Sequence, residues 1–165
     1  MGRLGISYGE PRWVKTGERP TAESFQRYRK EGGVAIVHMM KPEWIRRATA
    51  APFVMIASDG LPYAPGAHPR SAGTFSRVPG YYVREQKALT LMDALGKMTI
   101  MPATRLQGAD ADITVFDSDR IRDTATFERG LSFSTGIDHV LVNGVAVVRD
   151  GKTVPIRSAV AVPFR

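Results

Sequence analysis

Hydrophobic positions recur in two rhythms along this chain, and the change from one to the other divides it. Up to about Arg105 they come as short continuous runs and as groups three or four residues apart; beyond it they alternate with polar residues. Continuous runs suit strands covered on both faces, the three-and-four spacing suits helices, and alternation suits strands with one wet face. Residues 1–20 carry Gly2, Gly5, Gly9, Pro11, Gly17 and Pro20 and read as loop, with a short extended piece at Ile6-Ser7-Tyr8. Thr21 can then cap a helix running to about Glu31, with Glu23 near its positive end and Gly32-Gly33 as its stop. Phe25 and Tyr28 share the buried face. The β-branched run Val34 to Val37 predicts a strand. Pro42 predicts the first turn of a helix to about Ala50 with Trp44, Ile45 and Ala48 inward, and Phe53 to Ala57 predicts a second strand. Strand, helix and strand so close together predict a βαβ unit with parallel strands and a right-handed crossover.

Two prolines and a glycine make residues 64–72 a loop. A helical stretch from about Thr74 to Glu85 should break or kink at Pro79-Gly80. Thr90 can cap a helix from Leu91 to about Ile100 with Leu91, Ala94, Leu95 and Met98 on one face, and Met92, Met98 and Met101 read as adaptable core. The second rhythm begins with a turn at residues 108–112 and a strand at Ile113 to Asp117. Val140 to Val148 is two apolar arms joined by Asn143-Gly144, a type I′ hairpin signal, and Asp150-Gly151 is a second turn leading to a further strand. An α/β segment over 1–105 followed by a β-rich segment over 106–165 is therefore expected, without repeats.

Composition narrows the class. Hydrophobic residues at 43% and charged residues at 24% belong to a folded globular chain. No apolar run approaches the roughly 20 residues that span a bilayer, and no apolar signal core follows Met1, so a cytoplasmic location without membrane contact is the default expectation. With no cysteine there is neither disulfide nor thiolate metal ligand. Lys and Arg outnumber Asp and Glu by 23 to 16, a net charge of +7, but the basic residues are scattered and no aromatic-interleaved basic run or RNA-binding motif is present. Nucleic-acid binding therefore ranks last.

Candidate chemistry gathers where the second strand stops, in Ser58-Asp59-Gly60 and the loop that carries His68 and Arg70. In parallel α/β architectures such strand ends form the mouth of the site. Asp59 suits a metal ligand or a base, although Asp-Gly also makes an ordinary turn. Arg70 suits a bidentate grip on a carboxylate. His38 and His68 could polarise a substrate or bind metal, or be structural. His139 reads as the start of a strand and carries no assigned role. Three histidines without a His-x-His pair do not by themselves build a histidine-rich zinc site.

The elements Asp59-Gly60-Leu61-Pro62, His68-Pro69-Arg70 and Gly73-Thr74-Phe75-Ser76-Arg77-Val78 resemble the end of the barrel in D-aminoacylases, the N-acyl-D-amino-acid deacylases of the metal-dependent amidohydrolase superfamily, and the resemblance runs from about Gly5 to about Lys152. It implies a hydrolase with a TIM-type barrel, of which residues 1–105 are the last βα units and so an incomplete barrel, with 106–165 as part of a small β-sandwich. It implies zinc as cofactor, Asp59 as metal ligand and catalytic proton carrier, Arg70 as the group that binds the substrate carboxylate, and His68 and Met40 as pocket lining. The family's other metal ligands lie on earlier strands and have no counterpart here. Two departures are evident: the segment between Arg105 and the 108–112 turn is shorter than in the family, which leaves the pairing of the C-terminal strands open, and Pro79 replaces an apolar helical residue.

Three expectations follow. The chain is the C-terminal part of a zinc amidohydrolase acting on N-acyl-D-amino acids, inactive alone and completed by an N-terminal chain or by homo-oligomerisation. Alternatively it is a truncated, non-catalytic homologue serving as an oligomeric binding or structural module. The last alternative is a basic nucleic-acid binder.

Overall fold

The computed structural model describes residues 5–61, 66–106 and 112–155. Strand β1 (Pro11–Trp13) precedes helix α1 (Ala22–Glu31), strand β2 (Ala35–Val37) and helix α2 (Pro42–Ala50). Helix α3 (Arg70–Arg77) runs directly into a π-helix (Val78–Glu85), followed by α4 (Leu91–Met98) and α5 (Ile100–Leu106). Strands β3 (Ile113–Phe116), β4 (Ile137–Val142), β5 (Val145–Arg149) and β6 (Lys152–Thr153) close the order.

Local chemistry sets the helix ends. The Ser24 amide donates to Thr21 Oγ1 at 3.2 Å and the Thr21 amide donates to Ser24 Oγ at 2.9 Å, a reciprocal cap. Gly32, with φ of 72°, ends α1. Thr90 caps α4 by accepting from the Asp93 amide at 3.1 Å. The expected single helix to Ile100 instead divides at Thr99, whose φ and ψ of −128° and −82° leave the helical region. The expected break at Pro79-Gly80 is a change of pitch. Pro79 has no N–H to give residue 75 and its ring crowds that carbonyl, so the backbone widens from Val78 onward. Val78, Tyr82 and Ala94 form the core, with Ile56, Leu89 and Met98 packed on it. Of the three methionines, Met98 joins that core whereas Met92 is 74% exposed.

The βαβ expectation is overturned in detail. β2 pairs antiparallel with β1, Pro11 opposite Val37 and Trp13 opposite Ala35, and the extended piece lies at β1 rather than at Ile6 to Tyr8. Residues 53–57 form no ladder; their burial still alternates, and the Ile56 amide donates to Lys97 O at 3.0 Å. A sheet buried on both faces needs covering layers, and here β1 claims the hydrogen-bonding groups of β2. Trp13 stacks on Tyr28 with ring centroids 4.6 Å apart, which holds β1 to α1. For the same lack of a covering layer Trp44, Ile45 and Ala48 are exposed and Thr49 is the buried residue of α2. Lys97, buried at 4% exposure, donates through Nζ to the carbonyls of Ala51 and Val54 and ties the chain after α2 to α4.

The β-rich segment follows its expected turns. Asn143 and Gly144 have φ of 48° and 77°, Asp150 and Gly151 have 50° and 71°, and the four strands pair in the order β3-β4-β5-β6, all antiparallel. The turn expected at 108–112 lies, up to residue 111, outside the described residues. Residues 117–136 return to the helices: the Arg84 guanidinium donates to the carbonyls of Ser118 and Ile121, both at 2.9 Å, and Ile121 is buried. No helix among the described residues is long and apolar enough to cross a membrane.

Candidate functional site

The turn after residues 53–57 places Asp59 at φ of 44°, a left-handed conformation that Asp tolerates better than most residues. Gly60 lets that turn lie against the start of α3, since a Cβ there would fall 2.9 Å from Ser71 Cα. The Ser71 hydroxyl accepts the Leu61 amide at 3.2 Å and completes the contact. The predicted loop ends three residues early because α3 begins at Arg70. Asp59 and Arg70 are thereby brought together: Arg70 Nη2 lies 2.6 Å from Asp59 Oδ2 and its Nε donates to Asp59 O at 3.0 Å. His68 Nδ1 accepts the Arg70 amide at 3.0 Å, which assigns the proton of the neutral imidazole to Nε2.

These groups border a cavity of about 790 Å³ whose lining includes all four candidates, Met40, Asp59, His68 and Arg70, together with His38. Met40, at 59% exposure, sits on its rim. His139 lies in β4, away from the cavity lining. Residues to which the sequence assigned no role also reach the cavity. Phe127 packs against both His38 and His68, and Arg77 pairs with Asp123 at 3.0 Å across 46 residues. Neither has a local signal, because Phe127 and Asp123 stand in an irregular segment whose position is set by distant contacts.

His68 is pushed below the usual imidazole value of 6.5, first by burial and then by the charge of Arg70, and His38 is lowered by burial and by Arg19 and Arg12. His38 Nε2 is buried without a partner among the described residues. Both rings are therefore neutral near pH 7. Because the folded values lie below the unfolded one, the unfolded chain takes up protons first as the pH falls. The stability these rings contribute is fully present above pH 6.5 and is lost as the pH drops through the folded values. The melting temperature should thus fall on acidification from about pH 7 to about pH 5, more steeply than in a His38→Gln, His68→Gln double variant. A melting temperature that rises over that range contradicts the assignment.

Comparison with known proteins places this geometry. An N-acyl-D-glutamate deacylase of Alcaligenes xylosoxydans xylosoxydans is 46% identical over 122 residues, covering 68% of this chain and 25% of that enzyme. A D-aminoacylase of the same organism is 41% identical over 122 residues, with 68% and 25% covered. The solved N-acyl-D-glutamate deacylase from Bordetella bronchiseptica, complexed with zinc and a phosphonate mimic of the tetrahedral intermediate, superposes with a TM-score of 0.75 at 32% identity over 91% of this chain and 37% of its own. This chain is a relative of the D-aminoacylase amidohydrolases. The resemblance carried by the Asp59-Gly60-Leu61-Pro62 and His68-Pro69-Arg70 elements is borne out. The chain spans about a quarter of the length of the curated D-aminoacylase relatives it matches. No family model matches it.

The relative's zinc poses a direct question of fit. Among the described residues no group of three or more His, Asp or Glu converges as a metal site. Asp59 Oδ2 is engaged by Arg70, and His68 Nδ1 by a backbone amide. A zinc site with three or four protein ligands does not fit these residues alone.

Proposed function

We propose that this chain supplies the aspartate and the carboxylate-binding arginine of an N-acyl-D-amino-acid deacylase, and that it acts only when the remainder of the barrel is provided by another chain or by further copies. The observation that carries this reading is the Asp59–Arg70 pair at 2.6 Å, in a cavity that also contains His68 and Met40. Arg70 presents a planar fork of which Asp59 engages one edge, and the remaining N–H groups can take the carboxylate of the N-acyl-D-amino acid. Asp59 takes the proton released when water adds to the amide carbonyl and delivers it to the departing amine, so that amide and water become carboxylic acid and amine. His68 and Met40 shape the pocket around the substrate. Zinc, as held by the solved relative, would draw one ligand, Asp59, from this chain and its others from outside it.

The same reading divides the chain into a barrel-derived part over 1–105 and a β-rich part over 106–165, supported by the end of α5 at Leu106 and the antiparallel order of β3 to β6. Exposed apolar side chains support a need for completion: Phe53 is 82% exposed and Ile100 64%. A second reading, a non-catalytic oligomeric module, is favoured by the absence of a converging ligand group among the described residues.

The test mixes this chain with a polypeptide carrying the rest of a D-aminoacylase barrel, in the presence of zinc, and measures deacylation of N-acetyl-D-amino acids. Turnover that appears only on mixing and disappears with Asp59→Ala supports the proposal. A defined oligomer with neither metal uptake nor turnover in the mixture overturns it in favour of the second reading.

A further inference from the structure

Phe127 occupies a position that the proposed hydrolysis does not require. Its ring stands between two histidines from different parts of the chain, with centroids 4.4 Å from His38 and 5.1 Å from His68, the latter edge-on at 76°. The segment carrying it is fixed to the same end of the molecule at several points. The Arg12 guanidinium donates to the Phe127 carbonyl. Thr126 Oγ1 accepts the amides of Glu128 and Arg129 at 3.3 and 3.1 Å. Gly130 approaches Ala67 so closely that a Cβ would lie 1.8 Å from the Ala67 carbonyl oxygen. Ala67 is the residue before His68, so backbone and ring converge on one imidazole.

That imidazole has a defined task. Pro69 precedes α3 and offers no side-chain cap, so the amide of Arg70, the first residue of the helix, would be an orphan donor. His68 Nδ1 accepts it instead. The backbone of Arg70 is thus held by His68, and its guanidinium by Asp59. An imidazole can serve as this cap only in one ring orientation, and nothing in the 68–70 tripeptide itself selects that orientation. The Phe127 ring, set nearly perpendicular against the imidazole, does.

We infer that Phe127 is a positioning residue for Arg70, acting through the His68 imidazole that it holds in the capping orientation. Its functional consequence rests on the reading of Arg70 as the carboxylate-binding group, whereas the positioning itself does not. The reason for using a residue so far along the chain is mechanical. The segment from 126 to 130 meets β1 through Arg12, the loop after β2 through His38 and the loop after residues 53–57 through Ala67 and His68, so the Arg70 side chain that lines the cavity stands on a braced base.

The experiment compares the full chain with its Phe127→Ala and Phe127→Tyr variants, reading three quantities: hydrogen exchange of the Arg70 amide, the ¹⁵N shifts that report the His68 tautomer, and binding of N-acetyl-D-glutamate. In Phe127→Ala the Arg70 amide should exchange about tenfold faster, the His68 Nδ1 and Nε2 shifts should move toward a tautomer mixture, and binding should weaken about tenfold, while amides of β4 and β5 keep their protection. Phe127→Tyr, which keeps the aromatic ring, should restore all three. Unchanged Arg70 exchange and His68 shifts in Phe127→Ala overturn the inference, as does failure of tyrosine to restore them. Should the alanine variant lose protection in β4 and β5 as well, Phe127→Leu decides by the same criteria, since it keeps the apolar bulk without the aromatic ring. If exchange and tautomer respond but N-acetyl-D-glutamate is bound neither by the unsubstituted chain nor by its mixture with the rest of the barrel, the positioning stands and the carboxylate-binding reading fails.

Discussion

Replacing Arg70 by alanine is expected to weaken binding of N-acyl-D-amino acids to the chain by about a hundredfold, with almost no change in melting temperature. Two features set this contrast apart from ordinary destabilisation. Arg70 and Asp59 are 44% and 78% exposed at their side chains, and an ion pair so open to solvent contributes about 0–1 kcal/mol to folding. A guanidinium fork closed on a ligand carboxylate is worth more, because each charge-assisted hydrogen bond contributes about 1.5–3 kcal/mol and every 1.4 kcal/mol is tenfold in affinity. Arg70→Lys should recover only part of the loss, since an ammonium offers the charge without the planar two-point geometry. Calorimetric titration with N-acetyl-D-glutamate, alongside thermal unfolding of the same samples, reads both quantities. Equal affinity in Arg70→Ala and the unsubstituted chain would remove the carboxylate-binding role.

A large stability effect is expected at Gly136, where alanine should cost about 2–5 kcal/mol. Two independent penalties coincide there. The residue has φ of 79°, which costs an L-residue about 1–2 kcal/mol. A Cβ would also lie 2.5 Å from Ile121 N and 2.6 Å from Arg120 C, atoms of backbone that cannot rotate away. Overpacking of this kind adds about 1–3 kcal/mol. Gly136 immediately precedes β4, accepts the Asp117 amide at 3.0 Å and sits against buried Ile121, so yielding would move the β-rich segment off the helices. Gly144 is the internal control: its φ is 77° but nothing lies within 4 Å of its Cβ position, so Gly144→Ala should cost only the conformational penalty. Denaturant unfolding of the two variants would show the difference, and equal costs at both positions would mean that the approach of residues 120–121 is not rigid.

Much of the candidate site was legible before any fold was known, because its parts are close in sequence. Asp59 and Arg70 are held together by one turn and one helix start, so the turn reading of Asp59-Gly60 holds, and that turn is what places the proposed catalytic aspartate against Arg70. The capping role of His68 was not legible, since it depends on the helix beginning at Arg70 rather than at Thr74. Phe127 and the Arg77–Asp123 pair were invisible for a different reason. Nothing within several residues of Phe127 distinguishes it, and its partners His38 and His68 are 89 and 59 residues away by the numbering of the chain.

What the sequence by itself determined are the features closed by neighbours a few residues apart. The caps at Thr21 and Thr90, the stop at Gly32, the change at Pro79 and the turns at Asn143-Gly144 and Asp150-Gly151 each follow from a side chain or a φ restriction acting within one turn of backbone. Only the tertiary structure decided which strand pairs with β2, which face of α2 is covered, where Lys97 sends its ammonium, and what stands behind His68. Those outcomes depend on which surfaces meet. An apolar residue carries the same pattern in sequence whether a neighbour covers it or not, and a buried donor can be satisfied by any carbonyl the fold brings within reach.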